Sequence, residues 1–212
     1  MKKLKLIVIL GAAAMLLPSC TDVLGGIYDE PDSTPEFGFV EECSASRAGL
    51  IYIDATDYTL WTYIDFRNRT ATPLPVDEQA PAEWDFAVHR YDTKTNSAKV
   101  TATGITDINL AGGWKETAAG NAVADIWTTN RIVTDMSTMM DGYLSYAASY
   151  YNPELSGWLN VDTSTMPPVY TPSGIVYIIL LEDGTRAAVK LSDFMDSAGV
   201  KGLMSIQYIY PL

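Results

Sequence analysis

Four of the eight methionines in this chain fall between positions 136 and 166: Met136, Met139, Met140 and Met166. They occupy two stretches, RIVTDMSTMMDGY (131–143) and WLNVDTSTMPPVY (158–170), in a region dense with tyrosine. A thioether is a soft, uncharged donor that suits Cu(I) or haem iron and does not suit Zn, Ca or Mg. Methionine also fills irregular gaps, so the same four residues would serve equally as packing beneath long loops. Copper capture uses methionines at close repeats, usually with His or Cys. Here Met166 stands 26 to 30 residues from the others, in a different stretch. Two loops that each supply one thioether suit a flat, two-faced ligand clamped between them. Haem has that form, and Tyr143, Tyr146, Tyr150, Tyr151 and Tyr170 could stack on its edges or bond its propionates.

Other chemistry is thinly represented. His89 is the only histidine, inside WDFAVHRYD (84–92), so a catalytic triad or a His-based metal site would rest on it alone. It is expected to be half-buried and held by a carboxylate such as Asp85 or Asp92. The 26 acids offer many pairs, and no pair stands out as a hydrolytic one. No glycine-rich loop follows a strand and opens a helix, as phosphate binding would need. The expectation is a binding protein and not an enzyme. The formal net charge is −12 and there is no basic run, which argues against nucleic-acid partners.

These residues need elements to position them, and the chain divides readily. Residues 1–19 combine Lys2, Lys3 and Lys5 with an apolar run too short to span a membrane comfortably. They end in Leu17-Pro18-Ser19-Cys20, the form of a bacterial lipoprotein signal in which Cys20 becomes the acylated first residue. Pro18 stands where a small residue is usual. Cleavage removes three lysines, leaving eleven cations against 26 acids, near −15. Cys43 is then alone, which excludes an internal disulfide and a thiolate zinc site. Residues 20–48, rich in Asp, Glu, Pro, Gly and Ser, read as a solvated tether. Residues 49–212 read as one domain. LIYIDAT (50–56), TLWTYIDF (59–66), WDFAVHRY (84–91), AKVTATGI (98–105), GIVYIILL (174–181), TRAAVKL (185–191) and LMSIQYIY (203–210) have the β-branched, aromatic, period-two character of strands. Glu182-Asp183-Gly184 reads as a hairpin turn. Ser192–Ala198 reads as a short helix capped by Ser192 and stopped by Gly199. Residues 109–172 read as long Gly/Pro/Tyr-rich loops. The expected fold is mostly β and antiparallel, with one or two short helices.

The stretches YIDATDYTLWTYIDF (52–66), EWDFAVHRYDTKTN (83–96) and LEDGTRAAVKLSDFMDSAGVKGLMSIQYIYPL (181–212) resemble the HmuY-like haem-binding lipoproteins, or hemophores, of Bacteroidetes. With the lipoprotein start, the resemblance covers most of the chain in order. It implies a single hand-like antiparallel β domain whose long loops grip the haem iron from opposite faces. It implies no catalysis. It implies iron acquisition at the cell surface, from an outer-membrane lipid anchor, with haem taken from host or environmental haemoproteins and passed to a TonB-dependent outer-membrane transporter. In the best-known members both ligands are His. Aligned here, the first falls at Tyr143 and the second near Thr163, so a bis-His set is impossible in this chain. Other members look as if they use Met from the same loops. The ligands implied are therefore Met139 and Met166, with Met136 and Met140 as substitutes for the first, and Tyr143, Tyr146 and Tyr170 around the haem. A different reading is glycan capture on exposed rings, with Trp114, Trp127 and Trp158 as stacking candidates. A third is a structural partner of an outer-membrane complex that binds no small molecule.

Overall fold

The computed structural model describes residues 37–40, 47–115 and 122–212. The signal, Cys20, Cys43 and most of the tether lie outside the described residues.

The apolar alternation of the strand segments produces two antiparallel sheets. The larger has seven strands in the order β1 (Gly38–Phe39), β2 (Ala48–Asp54), β15 (Lys201–Ile209), β14 (Arg186–Met195), β13 (Tyr177–Leu180), β7 (Lys99–Ala102) and β8 (Val123–Ala124). The smaller has the order β4 (Thr70–Pro75), β3 (Leu60–Asp65), β5 (Phe86–His89) and β6 (Asp92–Thr95). One face of each sheet meets the other in a shared core. Ile51, Ile53, Ile179, Val189, Met204 and Ile206 come from the large sheet, and Ile64, Phe86 and Val88 from the small one. Such a closed apolar interior is what a two-layer β fold requires. Along β15 the alternation is strict: Met204, Ile206 and Tyr208 are buried and their neighbours are not. Gly38–Phe39, inside the stretch read as tether, pair with Tyr52 and Ile51 and so belong to the sheet.

The outer faces are covered too. Trp61, Tyr63 and Ala87 of the small sheet pack against Ile132, while Val176, Ile178 and Ala188 beside the large one pack against Ala111 and Trp114. The turn at Glu182–Gly184 forms as expected, with Gly184 at φ +83° and its N–H donating to the Leu181 carbonyl at 3.0 Å.

Two expectations are corrected. Ser192–Ala198 is not helical: β14 continues to Met195 because Phe194 is needed in the core, where its ring meets those of Tyr91, Trp158 and Tyr170. Gly199, at φ +81°, closes a turn onto Asp196 instead. Among the described residues the only helical segments are three short 3-10 turns, Ile108–Gly113, Met139–Asp141 and Leu155–Trp158. Second, much of 109–172 is ordered as two ribbons rather than loops: β9 (Ile126–Asp135) with β10 (Ser145–Tyr151), and β11 (Leu159–Asp162) with β12 (Val169–Pro172). No described helix is long and apolar enough to cross a membrane.

Candidate functional site

Each ribbon ends in an apex that bears methionine. In the first, Asp135 starts the turn: its carboxylate accepts from the Ser137 N–H at 2.7 Å and the Ser137 hydroxyl at 3.0 Å. Those bonds hold its pKa below the usual carboxylate value. The Met139 N–H donates to the Met136 carbonyl, and the Gly142 N–H donates back to Met139, both at 3.0 Å. Gly142 sits at φ +86°, a conformation that costs glycine nothing. The backbone is therefore satisfied within the turn, and the side chains are left to solvent. Met140 is 89% exposed and Met139 43%, while Met136 is partly covered. Tyr143 and Tyr146 are exposed beside them.

The second apex is built similarly. Asp162 accepts from the Ser164 N–H at 2.8 Å, and its hydrogen bonds to Ser164 lower its pKa. Met166 is 83% exposed. Tyr170 lies on β12, where its ring stacks on Phe194 at 5.2 Å and the Lys201 ammonium stands 4.3 Å over it. The structure thus gathers Met136, Met139 and Met140 in one turn and sets Met166 in another, on a separate two-stranded sheet.

What unites the ribbons is their root. β10 ends at Tyr151 and β11 starts at Leu159, so residues 152–158 join them. Asn152, fully buried, anchors that joint. Its amide donates to the Val123 carbonyl (3.0 Å) and to Asp125 (2.9 Å), and its side-chain oxygen accepts from the Leu155 N–H (2.9 Å). Asp125 also accepts from the Thr95 N–H and hydroxyl of β6. Burial raises the Asp125 pKa, against these bonds. Ser156 accepts from the Thr93 N–H at 3.0 Å, and the Trp158 indole donates to the Tyr91 carbonyl at 2.9 Å. The first ribbon is held further by Ile132 against Trp61 and by Arg131. The Arg131 guanidinium pairs with buried Asp92 at 2.6 Å and lies 4.4 Å over the Tyr151 ring.

Asn152, Asp125 and Arg131 are not singled out by the sequence, and Asp92, expected beside His89, instead pairs with Arg131. Asn152-Pro153 is a turn-forming dipeptide, and that is the one signal that marks the joint. His89 departs from expectation. It is fully buried, and its Nε2 lies 2.8 Å from the Tyr58 carbonyl rather than against Asp85 or Asp92. Burial pushes its pKa down to about 4, so it is neutral at physiological pH. Of the proposed stacking rings, Trp158 is buried in the core and Trp114 is packed on the outer face of the large sheet. Only Trp127 is exposed. Among the described residues no cluster of His, Cys, Asp and Glu could hold a metal ion.

The geometry defines a class: an antiparallel β-sandwich that displays soft donors on two ribbons sharing one root. The family model for the HmuY protein matches residues 57–208, more than half of the chain. The chain belongs to the HmuY family. It is similar to a crystal structure of a Bacteroides vulgatus protein assigned as HmuY-like and haem-binding. The two are 50% identical over 84% of this chain and 99% of that one, with a TM-score of 0.77. A Bacteroides fragilis protein assigned as a lipoprotein is 44% identical over 86% of this chain and 99% of that one, with a TM-score of 0.79. Apo PinO from Porphyromonas gingivitis is 26% identical over 79% of this chain and 100% of that one, with a TM-score of 0.66. No curated protein matches the chain.

Proposed function

We propose that this protein binds haem between its two ribbon apices, with Met139 and Met166 as axial ligands and Met136 or Met140 able to replace the first. The observation that carries this reading is the exposure of thioethers at both apices, where packing gives them no role. The donor chemistry fits: two soft, neutral sulfurs suit haem iron. The one histidine is buried against the Tyr58 carbonyl and cannot replace them. Tyr143 and Tyr146 stand beside the first apex to meet the macrocycle, and Tyr170 borders the second. The haem-binding assignment of the Bacteroides vulgatus relative supports the same ligand.

The protein is a carrier, not a catalyst. Residues 1–19 are a lipoprotein signal, Cys20 is the lipid attachment point, residues 20–48 supply most of the reach, and residues 49–212 form the binding domain. The anchor holds it on the outer membrane, at the cell surface, where it takes haem from haemoproteins and passes it to a TonB-dependent transporter. Neutral thioethers favour Fe(II) over Fe(III) and do not titrate near neutral pH. Haem titration followed by absorbance, first oxidised and then with dithionite, tests this. The expected result is tighter binding after reduction and a changed spectrum in the double variant Met139→Ala, Met166→Ala. An unchanged Soret band in that variant would overturn the ligand assignment, and no Soret shift in the wild type would overturn haem binding.

A further inference from the structure

A cleft opens at the root of the first ribbon, where it meets the edge of the small sheet. Its volume is about 540 Å³, within the range of small-molecule sites. Trp84, Lys94, Asn96, Asp125, Trp127 and Tyr150 line it. No methionine of either apex does. Trp127 and Tyr150 pair directly across the ribbon, five residues along β10 from Ser145, which puts them roughly 15 Å from the apex end.

Two large rings of this cleft are left open to solvent. Trp127 is the one exposed tryptophan of five, at 57%, and Tyr150 beside it is 54% exposed. Their rings meet edge to face, with centroids 5.0 Å apart at 71°, so they form a preset aromatic wall. The same cleft is lined by polar groups that the sandwich itself fixes. The Lys94 ammonium donates to the Tyr63 hydroxyl at 2.9 Å and lies 4.2 Å over the Trp61 ring. Asn96 is held by its bond to the Trp84 carbonyl at 3.0 Å.

We propose that this cleft is a second binding site, separate from the apices, and that it takes a neutral saccharide stacked on Trp127. The wall selects the class. One cation, Lys94, and one carboxylate, Asp125, line the cleft and offset each other, so the cleft has no net charge with which to favour a ligand of either sign. A fully apolar ligand would strip water from both without replacing it. A pyranose ring has an apolar C–H face for the electron-rich face of an aromatic ring, and a rim of hydroxyls that both donate and accept. The hydroxyls can accept from Lys94 and Asn96. The cleft is large enough for a short oligosaccharide.

The test is titration of the intact domain with cellobiose, maltotriose, lactose and N,N′-diacetylchitobiose, followed by tryptophan fluorescence and calorimetry. The expected result is saturable binding of at least one of these. Affinity should fall at least about tenfold in Trp127→Ala and stay unchanged in Met139→Ala, Met166→Ala. Trp127 is exposed, so its variant should keep the wild-type unfolding midpoint, which separates lost binding from lost folding. No binding of any of the four at roughly 50 mM, or equal binding by Trp127→Ala, overturns the proposal. Neither result bears on haem, because the apices and the cleft share no methionine.

Discussion

Met166 and Met204 are the same residue type in opposite surroundings. Met204 is 2% exposed in the core, whereas Met166 is 83% exposed at an apex. If the apical methionines only filled gaps, truncating them would cost stability. Their exposure predicts that Met139→Ala and Met166→Ala each shift the urea unfolding free energy by under about 0.5 kcal/mol, while Met204→Ala costs about 2–5 kcal/mol. A loss above about 2 kcal/mol at Met166 would restore the packing role. His89 makes a second prediction at this scale. Its folded pKa is about 4, below the 6.5 of an unperturbed histidine. Between those values the unfolded chain binds a proton that the folded chain does not. Stability is therefore complete above pH 6.5 and falls as pH drops toward 4, by up to about 3 kcal/mol. Asp92, which is buried, and Asp85 and Asp125, which are partly buried, have pKa values raised by desolvation and oppose this trend. The histidine is isolated by comparison with His89→Asn. Between about pH 7.5 and about pH 4.5 the wild type should lose more stability than the variant, and parallel curves would refute the assignment. Gly202 gives a third. It sits at φ +103°, and an added Cβ would lie 2.6 Å from the Arg90 guanidinium and 2.7 Å from the Ala55 carbonyl. Gly202→Ala should cost at least about 2 kcal/mol, read by the same unfolding assay.

The elements that carry the site are held less by burial of their own faces than by their shared root. Asn152 is the bolt: truncating it removes three side-chain hydrogen bonds and leaves the Leu155 N–H buried without its acceptor. Asn152→Ala should cost about 2–4 kcal/mol. Hydrogen exchange should rise first in residues 126–151 and 159–172, before the sandwich strands, because the root is what orders both ribbons. Uniform loss of protection across β13–β15 would mean that the ribbons and the sandwich unfold as one. This dependence on the root explains what the sequence could and could not disclose. β2 and β15 bury one face, so their apolar residues alternate, while β3 and β13 are buried on both faces and stand out as short apolar runs, and all four strands are readable. β9 and β10 are exposed on most of both faces and carry register irregularities between Ser145 and Tyr146 and between Ala147 and Ser149. Without a buried face there is no alternation, and the segment reads as loop. SDFMDSA has the composition of a capped helix, yet the three rings that meet Phe194 draw β14 on to Met195, a tertiary demand absent from any local window. The apical methionines were visible because their type and clustering are unusual. Asn152 and Arg131 were not, since their significance lies in partners far away in sequence.

At the scale of the whole molecule, charge governs how a ligand arrives. Residues 20–212 hold 26 acids against eleven cations, and three of those cations are engaged by the sandwich itself. Lys94 is enclosed by aromatic rings, Arg90 donates to the carbonyls of Ala55, Thr56 and Lys201, and Arg131 is committed to Asp92. Haem carries two propionates, so the field around this domain repels the ligand proposed for it. On the proposed reading, binding rests on the short-range grip of the apices, and the approach works against the field. That separates affinity from rate. Raising the ionic strength from about 0.01 M to about 0.1 M shortens the screening length from about 30 Å to about 10 Å. The approach of an anion to an acidic surface is thereby eased, while soft neutral thioethers at the iron are untouched. Stopped-flow absorbance with the chain lacking residues 1–19 should show haem association accelerating several-fold over that range, with the dissociation rate nearly constant. A protein that steered haem through a cationic entrance would behave oppositely, slowing as salt rose. The sign of that slope therefore decides whether the ligand is captured by local contact at the ribbon apices or drawn in by a field that the residue inventory does not reveal.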